Sequence, residues 1–192
     1  MILVLAAVAE ELGDLPGRTV GVGPVVAAAQ ASRILAEVRP DAVVMVGTAG
    51  SYPGGPDIGT PCAARRVGLA DGAARMGLGY VPRPPAPVVC DPRLLDLVPD
   101  LPRVDVLTAG GVSTDPLLAQ RMADAWQVEH LEAFGVAAAC AAHGLPFLAV
   151  LGIANRVGPT AHAEWLTHRD AAQDAAREAV RQALSGQSLA GG

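Results

Sequence analysis

Two carboxylates, one carboxamide and two glycine-rich turns stand out in the 192-residue chain as groups able to do chemistry together. The carboxylates are Glu11, which follows an apolar opening run, and Glu132, just inside the start of an apolar helical stretch. The carboxamide is Asn155, with Arg156 beside it, after the apolar run 148–153. The turns are residues 47–50, which include Thr48, and residues 110–114, which include Val112 and Ser113. Taken singly, each has an ordinary explanation. Glycine-rich turns reverse chains, and Glu10 or Glu11 can be a solvated charge. A carboxylate in a helix's first turn gains roughly 0.3–1 kcal/mol from the dipole alone. Gathered at one end of a sheet, they supply what a pocket for a sugar and a base requires, a hollow with a few converging polar groups.

The elements that would position them alternate between short apolar runs and helical patterns, which predicts an α/β fold with a largely parallel sheet. Strands are expected at 2–7, 18–22, 41–46, 60–69, 104–108 and 146–153. Helices are expected from Gly23-Pro24 to about residue 38, over 91–98 and 115–124 with aspartate caps followed by proline, over 131–143, and over 161–184. Residues 80–87, with four prolines, predict an irregular loop. Neither an internal repeat nor a linker is visible, so one domain over 1–192 is expected, with 185–192 a frayed tail. In open α/β sheets the loops at strand C-termini form the site, which is where the polar groups fall.

Composition narrows the function classes. The net charge is −5, and the fourteen basic residues are all arginines without a basic run, which argues against a nucleic-acid surface. With no lysine, Schiff-base and P-loop lysine chemistry is excluded. Cys62, Cys90 and Cys140 are odd in number and lack metal spacing, so they read as reduced thiols of a cytoplasmic protein. The opening run has no basic flank and meets Glu10-Glu11 at once, so it predicts neither a signal peptide nor a membrane span. His162 and His168 sit six apart, on different faces of a helix, and predict no metal site. His143, at a helix end before Gly144, suits the dipole, and His130 is placed to edge the pocket.

Four segments carry a family resemblance: Val20-Gly-Val-Gly-Pro24, Val46-Gly-Thr-Ala-Gly50, Val128-Glu-His-Leu-Glu132 and Gly152-Ile-Ala-Asn155. In order and spacing they resemble the purine nucleoside phosphorylase and nucleosidase superfamily over nearly the whole chain. Ala49-Gly-Ser-Tyr-Pro53, Val128 to Gly135, and Ile153-Ala-Asn-Arg-Val-Gly-Pro159 with Trp165 nearby narrow the resemblance to the futalosine hydrolases. Those enzymes release hypoxanthine from futalosine during menaquinone synthesis. The resemblance implies a three-layer αβα fold around a central mixed, largely parallel twisted sheet. It also implies a homodimer or higher homo-oligomer, a small nucleoside and water as the only partners, and no cofactor.

By that resemblance Glu11 is the base that activates water, and Glu132 accepts hydrogen bonds from the ribose 2'- and 3'-hydroxyls. Leu131 stands where a methionine usually packs on the sugar. Thr48 lines the water and ribose side, and Val112 and Ser113 flank the base. Asn155 replaces the aspartate of adenine-cleaving relatives. A carboxamide cannot deliver a proton at neutral pH, but it can donate and accept toward a purine edge, which favours a 6-oxopurine. Met45 stands where phosphorylases carry a phosphate-holding arginine, so water is the expected nucleophile.

The chain also departs from the pattern. The segment between Glu11 and Val20 is short, Ala154 replaces a serine, and Thr160 stands where an arginine is expected. For a carboxylated aryl group on the substrate, Arg156, His162 and Arg169 are the candidate cations. The alternatives are a methylthioadenosine/S-adenosylhomocysteine nucleosidase, a purine phosphorylase, or a degenerate nucleoside-binding protein. A dinucleotide binder is disfavoured, because Gly21-Val-Gly-Pro24 is only a fragment of that fingerprint.

Overall fold

The structure is a computed structural model that describes residues 1–188. Its eight strands are β1 (Ile2–Ala6), β2 (Gly17–Thr19), β3 (Ala42–Ser51), β4 (Pro61–Leu69), β5 (Val88–Val89), β6 (Arg103–Thr108), β7 (Val128–His130) and β8 (Phe147–Arg156). The helices are α1 (Ala9–Leu12), α2 (Pro24–Val38), α3 (Gly72–Arg75), α4 (Pro92–Leu95), α5 (Pro116–Ala123), α6 (Ala133–Ala142) and α7 (Ala161–Ser188). The alternation of strand and helix is as expected, and so is a mixed, mainly parallel sheet with helices around it. β3 pairs in parallel with β1 and β8, and β6 in parallel with β4 and β7. The antiparallel pairs are β3–β7, β4–β5 and β4–β8. Five strands therefore close on themselves in the order β3, β7, β6, β4, β8 and back to β3.

The boundaries of two strands overturn an expectation. Residues 47–50 do not turn; they continue β3 to Ser51, and Asn155-Arg156 continue β8. The two pair in parallel from Val43↔Phe147 to Ser51↔Arg156, with a register shift at Ala49/Gly50. The sequence Gly47-Thr-Ala-Gly50 looks like a turn, but its neighbours on β8 supply ladder partners that outweigh the low strand preference of glycine. β7 is likewise a strand where the sequence led to no expected element. It is only three residues long, too short for period-2 alternation to show. The tail expectation also changes, because residues 185–188 continue α7, while 189–192 lie outside the described residues.

Local signals did place α4 and α5, though not the single turns α1 and α3. Asp91 and Asp115 cap α4 and α5 by accepting from Arg93 N and Leu118 N, with proline next in each case. Each such cap contributes about 0.5–2 kcal/mol.

The core is built from small side chains, so backbones approach closely. A Cβ on Gly152 in β8 would strike the carbonyl oxygen of Ala172 in α7, and one on Gly135 in α6 would strike that of Pro24 in α2. Among the described residues no helix is long and apolar enough to cross a membrane. The Gly152→Ala variant should lose about 1–3 kcal/mol of stability by forcing α7 off β8. Denaturant unfolding checks this, and a midpoint equal to the parent's would refute the close approach.

Candidate active site

Glu11 is fixed by Thr48 of β3, which is itself held by Trp165 of α7. Glu11 lies on the single turn of α1, where successive residues point about 100° apart, so it is buried and Glu10 exposed. Oε1 of Glu11 accepts from the backbone N–H of Thr48 at 2.9 Å and from its hydroxyl at 3.0 Å. The same hydroxyl accepts from the indole N–H of Trp165 in α7 at 3.1 Å. Oε2 is buried and has no hydrogen-bond partner among the described residues. One carboxylate oxygen is thus held by two donors, and the other is left open to a ligand or water.

Glu132 caps α6 rather than lying inside it, and its side chain bonds outside its own helix. Oε1 accepts from the N–H of Gly23 at 2.8 Å. Gly23 has φ 90°, the left-handed region that glycine tolerates and that aims its N–H at the carboxylate. Burial raises the Glu132 carboxyl above its ordinary value, and the Gly23 bond only partly opposes this. Beside it, His130 is buried, and its Nδ1 accepts from the N–H groups of Glu132 and Ala133, both at 3.0 Å. Burial pushes the His130 pKa down, partly opposed by the charge of Glu11, so the ring is neutral at pH 7.

These groups line a cavity of about 360 Å³ together with Val22, Val112, Leu131, Asn155, His162 and Trp165. The expected residues Glu11, Thr48, Val112, Leu131, Glu132 and Asn155 are brought together there. Asn155 donates from Nδ2 to the Arg156 carbonyl at 2.9 Å, which leaves Oδ1 and one amide hydrogen available. Gly50 gives the amide room, since a Cβ there would lie 2.9 Å from Nδ2.

Two expected residues lie elsewhere. Arg156 does not line the cavity; its guanidinium binds Ser51 Oγ, the Pro56 carbonyl and Asp57. At the end of β8 the alternation that turns Asn155 toward the cavity turns Arg156 away. Ser113 is spent on structure: its N–H and hydroxyl donate to Glu129, and its carbonyl accepts from Gly158. Glu129 also accepts from the Tyr52 hydroxyl at 2.7 Å. Burial and the Glu129 charge raise the Tyr52 pKa, so the phenol stays a donor. Glu129 went unread as a functional group because its signal needs the fold: β7 alone places it between Tyr52 and the 110–114 loop.

No arginine is among the cavity-lining residues, whereas Glu11, Glu129 and Glu132 are. Met45 is fully buried in the core. His162 and Trp165 stack at one side of the cavity, with Arg169 over Trp165 at 4.9 Å. No group of three His, Cys, Asp or Glu with metal-binding geometry occurs among the described residues.

A profile of the Phosphorylase superfamily matches residues 15–185, which begins just after Glu11. Futalosine hydrolase of Streptomyces coelicolor is 32% identical over 162 residues, covering 76% of this chain and 68% of that protein. Two solved structures share the fold. Futalosine hydrolase of Helicobacter pylori gives a TM-score of 0.85 at 13% identity, covering 96% of this chain and 97% of that one. The 5'-methylthioadenosine/S-adenosylhomocysteine nucleosidase of Neisseria meningitidis, in complex with methylthio-immucillin-A, gives 0.82 at 16% identity, covering 96% and 98%.

The buried carboxyl of Glu132 has a consequence for stability. Because its pKa is raised above 4.5 by folding, the folded chain holds more protons than the unfolded one just above that pH. Stability therefore falls as pH rises through this window. His130, lowered from 6.5, acts oppositely: its contribution is present above pH 6.5 and is lost as pH falls below it. The Glu132→Gln variant should unfold at a higher temperature than the parent at pH 7.5, with the gap closing toward pH 4.5. Thermal melts across that range decide it, and a gap that stayed constant would count against the buried charge.

Proposed function

The chain belongs to the phosphorylase superfamily, and from that premise we propose that it is an N-glycosyl hydrolase that cleaves a 6-oxopurine nucleoside with water. The observation that carries this reading is the open, buried Oε2 of Glu11 in a cavity that also holds Glu132 and no arginine. A phosphate dianion would meet three carboxylates there without a guanidinium to bind it. Water needs only a base, which Glu11 supplies.

Glycosidic cleavage passes through a state positive at the sugar and negative at the departing purine. Glu11 takes a proton from water through Oε2 as the water oxygen bonds to the anomeric carbon. The C–N bond breaks, and its electron pair leaves with the purine. Glu132 accepts from the ribose hydroxyls, with Oε1 steadied by Gly23, and its negative charge favours the cationic sugar. Leu131 packs against the sugar and Val112 against the base. Asn155 meets the purine with its free oxygen and remaining N–H. It supplies no acidic proton, so the leaving group must bear its own charge, which a 6-oxopurine does better than adenine.

Futalosine, yielding hypoxanthine and dehypoxanthine futalosine, is the proposed substrate, supported by the Streptomyces relative and by Asn155. Release of free base from futalosine, inosine and methylthioadenosine, with and without phosphate, tests the reading. Hypoxanthine should appear from futalosine without phosphate, and the Glu11→Gln variant should keep the fold while losing about 10²–10⁴-fold in kcat. Phosphate-dependent release would overturn hydrolysis, and full activity in that variant would remove Glu11 from the mechanism. Adenine released from methylthioadenosine in preference to both others would move the substrate to the adenine class.

A further inference from the structure

One ionisable group in the cavity wall, His130, has no part in the reaction just described. Its Nδ1 receives two backbone N–H groups, and backbone amides only donate. The neutral ring must therefore carry its hydrogen on Nε2, a tautomer fixed by the chain itself. Nε2 makes no hydrogen bond among the described residues, although His130 is 3% exposed.

The ring faces Glu11 across β3. A Cβ on Gly47 would lie 3.2 Å from Nε2 of His130 and 3.2 Å from Oε1 of Glu11. Since Gly47 has no side chain, Nε2 of His130 borders the same space as the Thr48-bound Oε1 of Glu11, and Oε2 is the second oxygen of that carboxylate. Glu11 brings a buried oxygen without a donor, and His130 brings a donor without an acceptor. The other polar groups at this wall are engaged: Thr48 donates to Glu11 and accepts from Trp165. A single water meets both unmet needs, accepting from one group and donating to the other.

We propose that His130 is a further catalytic residue, whose Nε2–H donates to the oxygen of the water that Glu11 deprotonates. The assignment rests on the hydrolase reading above. Held at two points, the water directs one O–H bond at Glu11 Oε2 and keeps a lone pair for the anomeric carbon. As the C–O bond forms, the water proton passes to Glu11 and the purine leaves with the C–N electron pair. The imidazole keeps its hydrogen throughout.

Two substitutions separate this role from support of the α6 start. His130→Asn keeps an oxygen near the Nδ1 position for the two amides but lacks the distal donor. His130→Gln extends an amide N–H toward the Nε2 position. Steady-state purine release and thermal unfolding are measured for both variants and for the parent. His130→Asn should lose about 10- to 100-fold in kcat, with KM within threefold and the unfolding temperature near the parent's. His130→Gln should recover part of that kcat. Unchanged kcat in His130→Asn, or a loss confined to KM or to unfolding temperature, would overturn the assignment. A parent enzyme that releases no purine from any of the three nucleosides overturns the hydrolase reading itself, and the role of His130 falls with it.

Discussion

Thr48 presents both its backbone N–H and its hydroxyl to one oxygen of Glu11, and the geometry of the cavity follows from that fork. Hydrogen bonds to a charged acceptor are roughly twice as strong as neutral ones, so the carboxylate has one strongly preferred orientation. Four parts of the chain must agree to produce it. β1 delivers α1, the parallel register of β1 on β3 brings α1 beside Thr48, and α7 reaches over with Trp165 to hold the hydroxyl. The lone pairs of Glu11 that remain free are then determined by what is already bound.

Glycine serves this arrangement by absence. Gly47 and Gly50 are strand residues whose missing side chains make room for Glu11, His130 and Asn155, while Gly135 and Gly152 let helices lie directly on backbone. A core poor in aromatic residues fits the same plan, because alanine and valine keep the layers close. The site is less comfortable than its scaffold. An unpartnered buried oxygen on Glu11 and a buried carboxylate at Glu132 each work against folding, the first by about 1–3 kcal/mol or more. Such local discomfort is common where a surface is prepared for a ligand.

Much of this was legible in the sequence, and the failures have physical causes. Apolar runs and aspartate–proline caps located the main helices and strands, because those signals are local. The two glutamates and Asn155 were legible as a set through the family resemblance of the segments around them. The reach of β3 and β8 was not, since a glycine-rich stretch becomes a strand only when a partner supplies its ladder. The direction of Arg156 was not legible for the related reason that strand alternation, unseen there, points it toward Asp57. His130 was read only as bordering the pocket, and Glu129 was missed. Both lie on a three-residue strand whose direction is decided by β3 and β6 rather than by its own residues.

The closed run of five strands also governs how copies of the chain can meet. Among the described residues only β2 and β5 have a single neighbour, and they are three and two residues long. Few unsatisfied backbone donors and acceptors are therefore presented to another molecule in ladder order, and the usual template for sheet-to-sheet aggregation is largely lacking. Self-association through main-chain ladders is disfavoured. Any assembly of this protein must be built from side-chain surfaces, whose complementarity evolution can tune residue by residue.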